Sequence, residues 1–270
     1  MTLKPANGAN KRIWRLLVDG PQDGAWNMAV DEVLLQQRKA GAGISTLRLY
    51  SWQKRTVTLG YFQRIDKALA GFCGQNNIDL IRRPTGGGFV LHDQELTFSL
   101  VFNRQDLRAR AQHQAVEYFR VIATCLQKAL LSLGVPVSLE ENVFSGKDNN
   151  FFCFNNPTKY DLLVDGKKVC GSAQRRYRDT ILQQGSLILR TPGDPAFWQK
   201  ATGLEEVLQQ KISWPEICAA LQKSFTAELR LNFIPGALTE AELIMARQLA
   251  AVKYTQASWN YQGYYQGEHA

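Results

Sequence analysis

Three consecutive glycines, Gly86, Gly87 and Gly88, stand between two extended runs in residues 81–93, IRRPTGGGFVLHD. Glycine loses more backbone freedom on folding than any other residue, so such a run belongs where the chain bends sharply or approaches another group closely. A chain with this stretch between β-like runs must build a sheet around a tight loop. Backbone N–H groups in such a loop can bind an anion or a developing oxyanion. The flanking Arg82, Arg83 and His92 favour a ligand site over a plain turn.

The surrounding pattern defines the fold class. Leu96, Phe98, Leu100 and Phe102 alternate, which predicts a strand with all four on one face. Residues 160–164 and 167–173 are joined by Asp165 and Gly166, a dipeptide suited to the positive φ values of a type I′ hairpin turn. Residues 13–18, 46–52, 56–59, 80–83 and 180–189 read as further strands. Helical spacing runs over 26–40, closed by Gly41, and over 108–133, closed by Gly134. Beyond Arg190 the pattern is helical. Asp194 and Pro195 mark a start, and Ser213 with Glu216 and Thr239 with Glu242 have capping-box spacing.

The expected class is therefore α+β: a mixed, largely antiparallel β-sheet flanked by helices, with a helical C-terminal part. The expected organisation is a loose tail over 1–11, one domain over 12–253 that includes the C-terminal helices, and a tail over 254–270.

A net charge of +8 calls for an acidic partner. The basic residues are scattered, with no more than short clusters such as 167–168 and 175–178 and no nucleic-acid motif, so nucleic acid is not expected as that partner. No apolar run reaches the length of a membrane span, and the N-terminus has no signal-peptide core. A cytoplasmic location without membrane association is expected. The five cysteines are odd in number and lack C-x-x-C spacing, which points away from a disulfide framework or a metal site.

Cys153 lies in FFCFN, inside the unpatterned stretch 140–157, a length of loop often reserved for function. An ammonium from Lys167 or Lys168 on the following hairpin would raise its thiolate fraction. Cys170 is the competing thiol, placed in a predicted strand where packing against the sheet is its simpler role. Lys168 has a plain alternative too, as a solvated residue near a turn. His92 is the histidine placed for a site, since His113 and His269 lie in a Gln-rich helix start and in the tail.

Taken in order, WRLLVDGPQDGAWNMAVDEVL (14–34), TLRLYSW and TLGYFQ (46–63), RRPTGGGFVLHD (82–93), GKKVCGSAQRR (166–176) and ILQQGSLIL (181–189) resemble the lipoate/octanoate protein-transferase superfamily, also called the biotin/lipoate A/B protein ligase family. Within it the nearest match is to octanoyltransferases of the LipM type. A weaker echo recurs at 253–260.

The resemblance implies a fold shared with biotin ligases. It also implies transfer of an octanoyl group from acyl carrier protein, through a cysteine acyl-enzyme, to a lysine of a lipoyl-accepting protein. That acceptor would be glycine-cleavage H protein or a dehydrogenase lipoyl domain, and no cofactor is implied. Cys153 falls on the nucleophile and Lys168 on the superfamily lysine. Arg83, Thr85, Gly86, Gly87, Gly88, His92, Gly171, Ser172 and Ala173 fall on substrate-binding positions.

Cys170 departs from the family pattern, where a small residue is usual, so Cys153 and Cys170 both stand as thiol candidates. His92 and Lys168 both stand as relays for the acceptor's proton. Phe89, Leu91 and the phenylalanines of 151–154 are expected to line the acyl slot. Two other readings share these motifs. One is an ATP-dependent lipoate–protein ligase, which would add ATP and Mg as cofactors. The other is a non-catalytic module that binds acyl or lipoylated proteins.

Overall fold

The computed structural model describes residues 12–107, 115–142, 153–155, 157–192 and 198–263. Its main sheet has eight strands. From one edge these are β11 (Leu231–Pro235), β1 (Arg12–Gln22), β2 (Thr46–Trp52), β6 (Glu95–Asn103), β10 (Thr180–Ile188), β9 (Lys167–Arg176), β8 (Leu162–Val164) and β7 (Ser138–Leu139). β1 runs parallel to both neighbours, and the other pairs are antiparallel. A smaller sheet has the order β4 (Asp79–Arg82), β3 (Thr56–Leu59), β5 (Val90–His92). The expected α+β class, mixed and largely antiparallel, is the one observed.

Alternation along β6 explains how the layers form. Leu96, Phe98, Leu100 and Phe102 share one face and one apolar cluster with Leu126 and Leu130 of α3 (Ala115–Ser132) and Leu221 and Phe225 of α5 (Trp214–Leu229). The opposite face packs Leu17, Val101 and Leu182 against Val30, Val33 and Leu34 of α1 (Gly24–Lys39) and Ala246 of α6 (Glu240–Leu249). Burial at about 25 cal/mol per Å² of apolar surface drives both layers together. Among the described residues no helix is long and apolar enough to cross a membrane.

Local chemistry sets the element ends. Asp23 caps α1 by accepting from the N–H groups of Ala25 and Trp26, and Gly41 closes it at φ 79°. Thr239 and Glu242 form a full capping box on α6, while Ser213 caps α5 through Glu216 N. Asp165 and Gly166 both have positive φ, 49° and 76°, as the hairpin reading requires.

Several elements escaped that reading, among them α2 (Lys67–Gln75), which carries two glycines, the short helix α4 (Leu204–Leu208) and the edge strands β7 and β11. The start of the helix expected from 108, the start at 194–195 and most of the 140–157 stretch lie outside the described residues.

Residues 253–263 have no sequence period, yet Lys253, Tyr254, Trp259 and Asn260 are all buried. They form two short π-helical turns, Ala250–Tyr254 and Ser258–Gln262, against Tyr50, Trp52 and Ile81.

Candidate active site

Directly paired residues in a sheet present their side chains to the same face. Gly171 pairs with Ser186, Ser186 with Thr97, and Thr97 with Tyr50. One step along, Ala173, Gln184, Ser99 and Arg48 form a parallel row. The first row and Ala173 and Gln184 line a cleft, closed over by Thr58, Val90 and His92 of the small sheet, Arg83, Met28 of α1, and Phe154. Its walls are largely apolar with a few convergent polar groups, the character of a small-molecule site. Gly171 and Tyr50 stand three strand spacings apart, about 14 Å at about 4.8 Å each.

Lys168 occupies the β9 end. It is fully buried, and its Nζ pairs with Asp161 Oδ2 at 2.7 Å. The same nitrogen lies 5.1 Å from the Phe154 ring centre. A Cβ on Gly171 would overlap Lys168 Cε and Nζ, so the ammonium lies on the cleft face of that glycine. The backbone of Lys168 is pinned as well, with its N–H donating to Lys200 O and its carbonyl accepting from Thr202 N. A buried cation beside a cleft costs desolvation, which the Asp161 carboxylate offsets.

The opposite end, at β2, is aromatic. The His92 ring stacks on Trp52 at 4.0 Å. His92 Nδ1 lies 2.6 Å from Glu95 Oε1, and Nε2 lies 2.8 Å from Thr58 Oγ1. Glu95 also accepts from Trp52 Nε1 and from the Thr97 and Ser186 hydroxyls. Burial alone would raise the Glu95 pKa. His92 and the hydroxyl donors outweigh burial and hold the carboxyl below its ordinary value.

A second buried carboxylate, Asp31 of α1, braces the floor. It accepts from Arg48 Nη1 at 3.0 Å, Tyr50 Oη at 2.9 Å, Ser99 Oγ at 2.7 Å and Gln184 Nε2 at 2.7 Å. Burial and the Asp31 charge push the Tyr50 pKa well above its usual value, so the phenol remains a donor.

The glycine loop joins this network. Thr85 Oγ1 donates to Gln184 Oε1 at 2.8 Å and accepts from Arg83 Nε at 3.2 Å. Arg83 Nη2 donates to Gly86 O at 2.6 Å and Gly88 O at 2.8 Å. Gly87 adopts φ 91°, and a Cβ on Gly60 would overlap its carbonyl oxygen. This is the close backbone approach that demands glycine.

Of the expected site residues, Arg83, His92, Gly171, Ser172 and Ala173 line the cleft directly. Lys168 abuts it through Gly171, and Thr85 through Gln184. Gly86 and Gly88 are tied to Arg83 through their carbonyls, with Gly87 between them. Cys153 begins a one-turn 3-10 helix, Cys153–Asn155, whose Phe154 lines the cleft; the Cys153 side chain lies outside the described residues.

Cys170 is buried in the main core. Burial, then the Asp161 charge, drive its thiol pKa far up, more than Lys168 lowers it. Phe89 and Leu91 do not line the slot as expected. They pack with Val57, Leu59 and Trp198, because the two-residue repeat of β5 turns Val90 and His92 to the cleft instead.

Trp52, Thr58, Glu95 and Asp161 were not singled out from the sequence. The one local signal among them is the three-residue spacing of Glu95 from His92. Among the described residues no cluster of His, Cys, Asp and Glu could hold a metal ion.

The family model of the lipoyl protein ligase A/B catalytic domain matches residues 23–226. The chain belongs to this family. It is 34% identical to octanoyltransferase LipM of Brevibacillus brevis, over 92% of this chain and 98% of that protein. To octanoyltransferase LipM of Bacillus subtilis it is 32% identical, over 93% and 99%.

Among solved structures it is similar to a lipoate-protein ligase A bound with ATP, with a TM-score of 0.74 and 26% identity, over 92% of this chain and 98% of that one. The same values hold for a T. acidophilum protein with bound lipoic acid. In this member of the lipoyl ligase family, the stretches 82–93, 166–176 and 181–189 converge on one cleft.

Proposed function

We propose that the protein is an octanoyltransferase that takes an octanoyl group from acyl carrier protein onto Cys153 and passes it to one lysine of a lipoyl-accepting protein. The observation that carries this reading is the buried Lys168 ammonium at the β9 end of the cleft. It stands beside Gly171 and next to Phe154, the residue that follows Cys153. The two LipM relatives, matched over nearly their whole length, support the same activity.

The Cys153 thiolate attacks the thioester carbonyl. A new carbon–sulfur bond forms as the bond to the carrier's sulfur breaks, and the carrier leaves as its thiolate. The acceptor's neutral amine then attacks the acyl-enzyme, the carbon–nitrogen bond forms, the Cys153 sulfur is expelled as its thiolate, and the nitrogen's proton passes through the relay to solvent. One thioester is exchanged for another, so the first step is nearly balanced and calls for no ATP or other cofactor. Lys168 stabilises the thiolate and the oxyanion of each tetrahedral intermediate. Of the two proton-relay candidates, position favours Lys168. His92 is stacked on Trp52 at the far end, with its nitrogens engaged by Glu95 and Thr58.

The acyl chain crosses the sheet from Gly171 towards Tyr50 and Trp52. Eight carbons joined by bonds of about 1.5 Å extend about 9 Å, within the about 14 Å that separates Gly171 from Tyr50 across the strands. Acidic carrier and acceptor domains, glycine-cleavage H protein or a dehydrogenase lipoyl domain among them, complement the net charge of +8.

A second reading, ATP-dependent ligation of free lipoate or octanoate, is favoured by the likeness to the ATP-bound lipoate-protein ligase A. One experiment separates them. Acceptor protein is incubated either with octanoyl-acyl carrier protein and no nucleotide, or with free octanoate, ATP and Mg. Acylation in the first mixture alone is expected; acylation in the second alone overturns the transferase reading.

A further inference from the structure

The stretch 253–260, KYTQASWN, has no place in the chemistry above, yet it is bonded to the cleft from behind. β4 is an edge strand of the small sheet. At its last residue, the Arg82 N–H donates to Asn260 Oδ1 at 3.0 Å, and Trp259 Nε1 donates to Arg82 O at 3.0 Å. Two adjacent side chains thus satisfy both backbone groups of one buried residue.

The Arg82 guanidinium returns the contact. Nε donates to Trp259 O at 3.0 Å and Nη2 to Asn260 O at 3.2 Å, while Nη1 reaches Gly60 O, Tyr61 O and Gln63 O at 3.0, 3.1 and 2.7 Å. Each of these acceptors is a backbone carbonyl, and burial draws the Arg82 pKa below its usual value. Trp259 is itself fixed. Lys253 Nζ sits 3.9 Å over its ring and pairs with Glu32 of α1 at 3.0 Å.

The next residue is Arg83, which lines the cleft and holds Thr58 O, Gly86 O and Gly88 O. Successive residues of an extended strand point opposite ways, so holding Arg82 from behind sets where Arg83 enters the cleft.

We propose that Trp259 and Asn260 are positioning residues for the acyl cleft, acting through Arg82 on Arg83 and the triple-glycine loop. The inference rests on the cleft being the acyl site. It assigns the KYTQASWN stretch a role in substrate affinity rather than in bond making.

The test measures acyl-enzyme formation against octanoyl-acyl carrier protein concentration, and octanoate binding by calorimetry. The proteins are wild type, Trp259→Phe, Asn260→Ala, Arg83→Lys and the double variant Trp259→Phe/Arg83→Lys. Trp259→Phe keeps a ring and removes only the N–H donor. Each single variant is expected to raise the donor KM about five- to tenfold, with the saturated rate changed less than about twofold. The double variant is expected to be no weaker than Arg83→Lys alone, since both act on one group. Effects that multiply in the double variant, or an unmoved KM in Trp259→Phe and Asn260→Ala, overturn the proposal. If wild type forms no adduct, the transferase reading falls, and the same pattern in octanoate binding decides the clamp by itself.

Discussion

Gly171 has no side chain because the Lys168 ammonium occupies the space one would fill. The pairing ties a sequence motif to a position: the glycine after Val169-Cys170 is what lets a buried cation face the cleft.

Gly171→Ala is therefore expected to push Lys168 off its seat. Overpacking of this kind costs about 1–3 kcal/mol, so the variant should still fold at 25 °C. Its transfer rate should fall by at least about tenfold, the loss of an oxyanion-stabilising donor being the cause. Urea unfolding and steady-state transfer, measured on the same preparation, check the two parts. Wild-type turnover would show that Lys168 need not stand there.

Asp161→Asn removes the carboxylate charge that faces the buried Lys168 ammonium at 2.7 Å. Removing one partner of a buried pair typically costs about 3–5 kcal/mol. The urea midpoint should drop accordingly, and adding Lys168→Met should restore part of the loss while abolishing transfer. A double variant less stable than Asp161→Asn would contradict the assignment of that cost to the buried ammonium.

What could be read in the sequence, and what could not, follows from how local each signal is. Asp165-Gly166 announced its hairpin because the turn's φ values are written in two adjacent residues. Alternation at 96–102 gave the strand and its inner face. Phe89 and Leu91 misled, because an apolar run does not say which of its two parities meets the core, and Val90 took the cleft beside His92, the histidine expected there. Glu95 with Trp52, 43 residues apart, and Arg82 with Trp259, 177 apart, meet only through register and long-range packing. Lys168 was found by its motif, but its burial and its Asp161 partner depend on the β8–β9 register.

Glu95 gives the fold an acid limit. Its carboxyl titrates below its ordinary value in the folded chain, the interactions with His92, Ser186 and Thr97 overcoming burial. A depressed folded pKa contributes stability above the unfolded value of about 4.3, and that contribution is lost as pH falls through the lower folded value. Urea midpoints taken from about pH 7 down to about pH 3 should fall steeply below about pH 4. Glu95→Gln should be less stable at neutral pH and should show a shallower acid limb. An acid limb of unchanged slope in Glu95→Gln would assign the limit to other carboxylates.

The central claim is that octanoate is carried on Cys153. Intact mass of the protein after incubation with octanoyl-acyl carrier protein tests it most directly. The account predicts a single octanoyl adduct, released by hydroxylamine, absent in Cys153→Ser and retained in Cys170→Ser, whose thiol is buried with a raised pKa. An adduct that persists in Cys153→Ser and disappears in Cys170→Ser would contradict it.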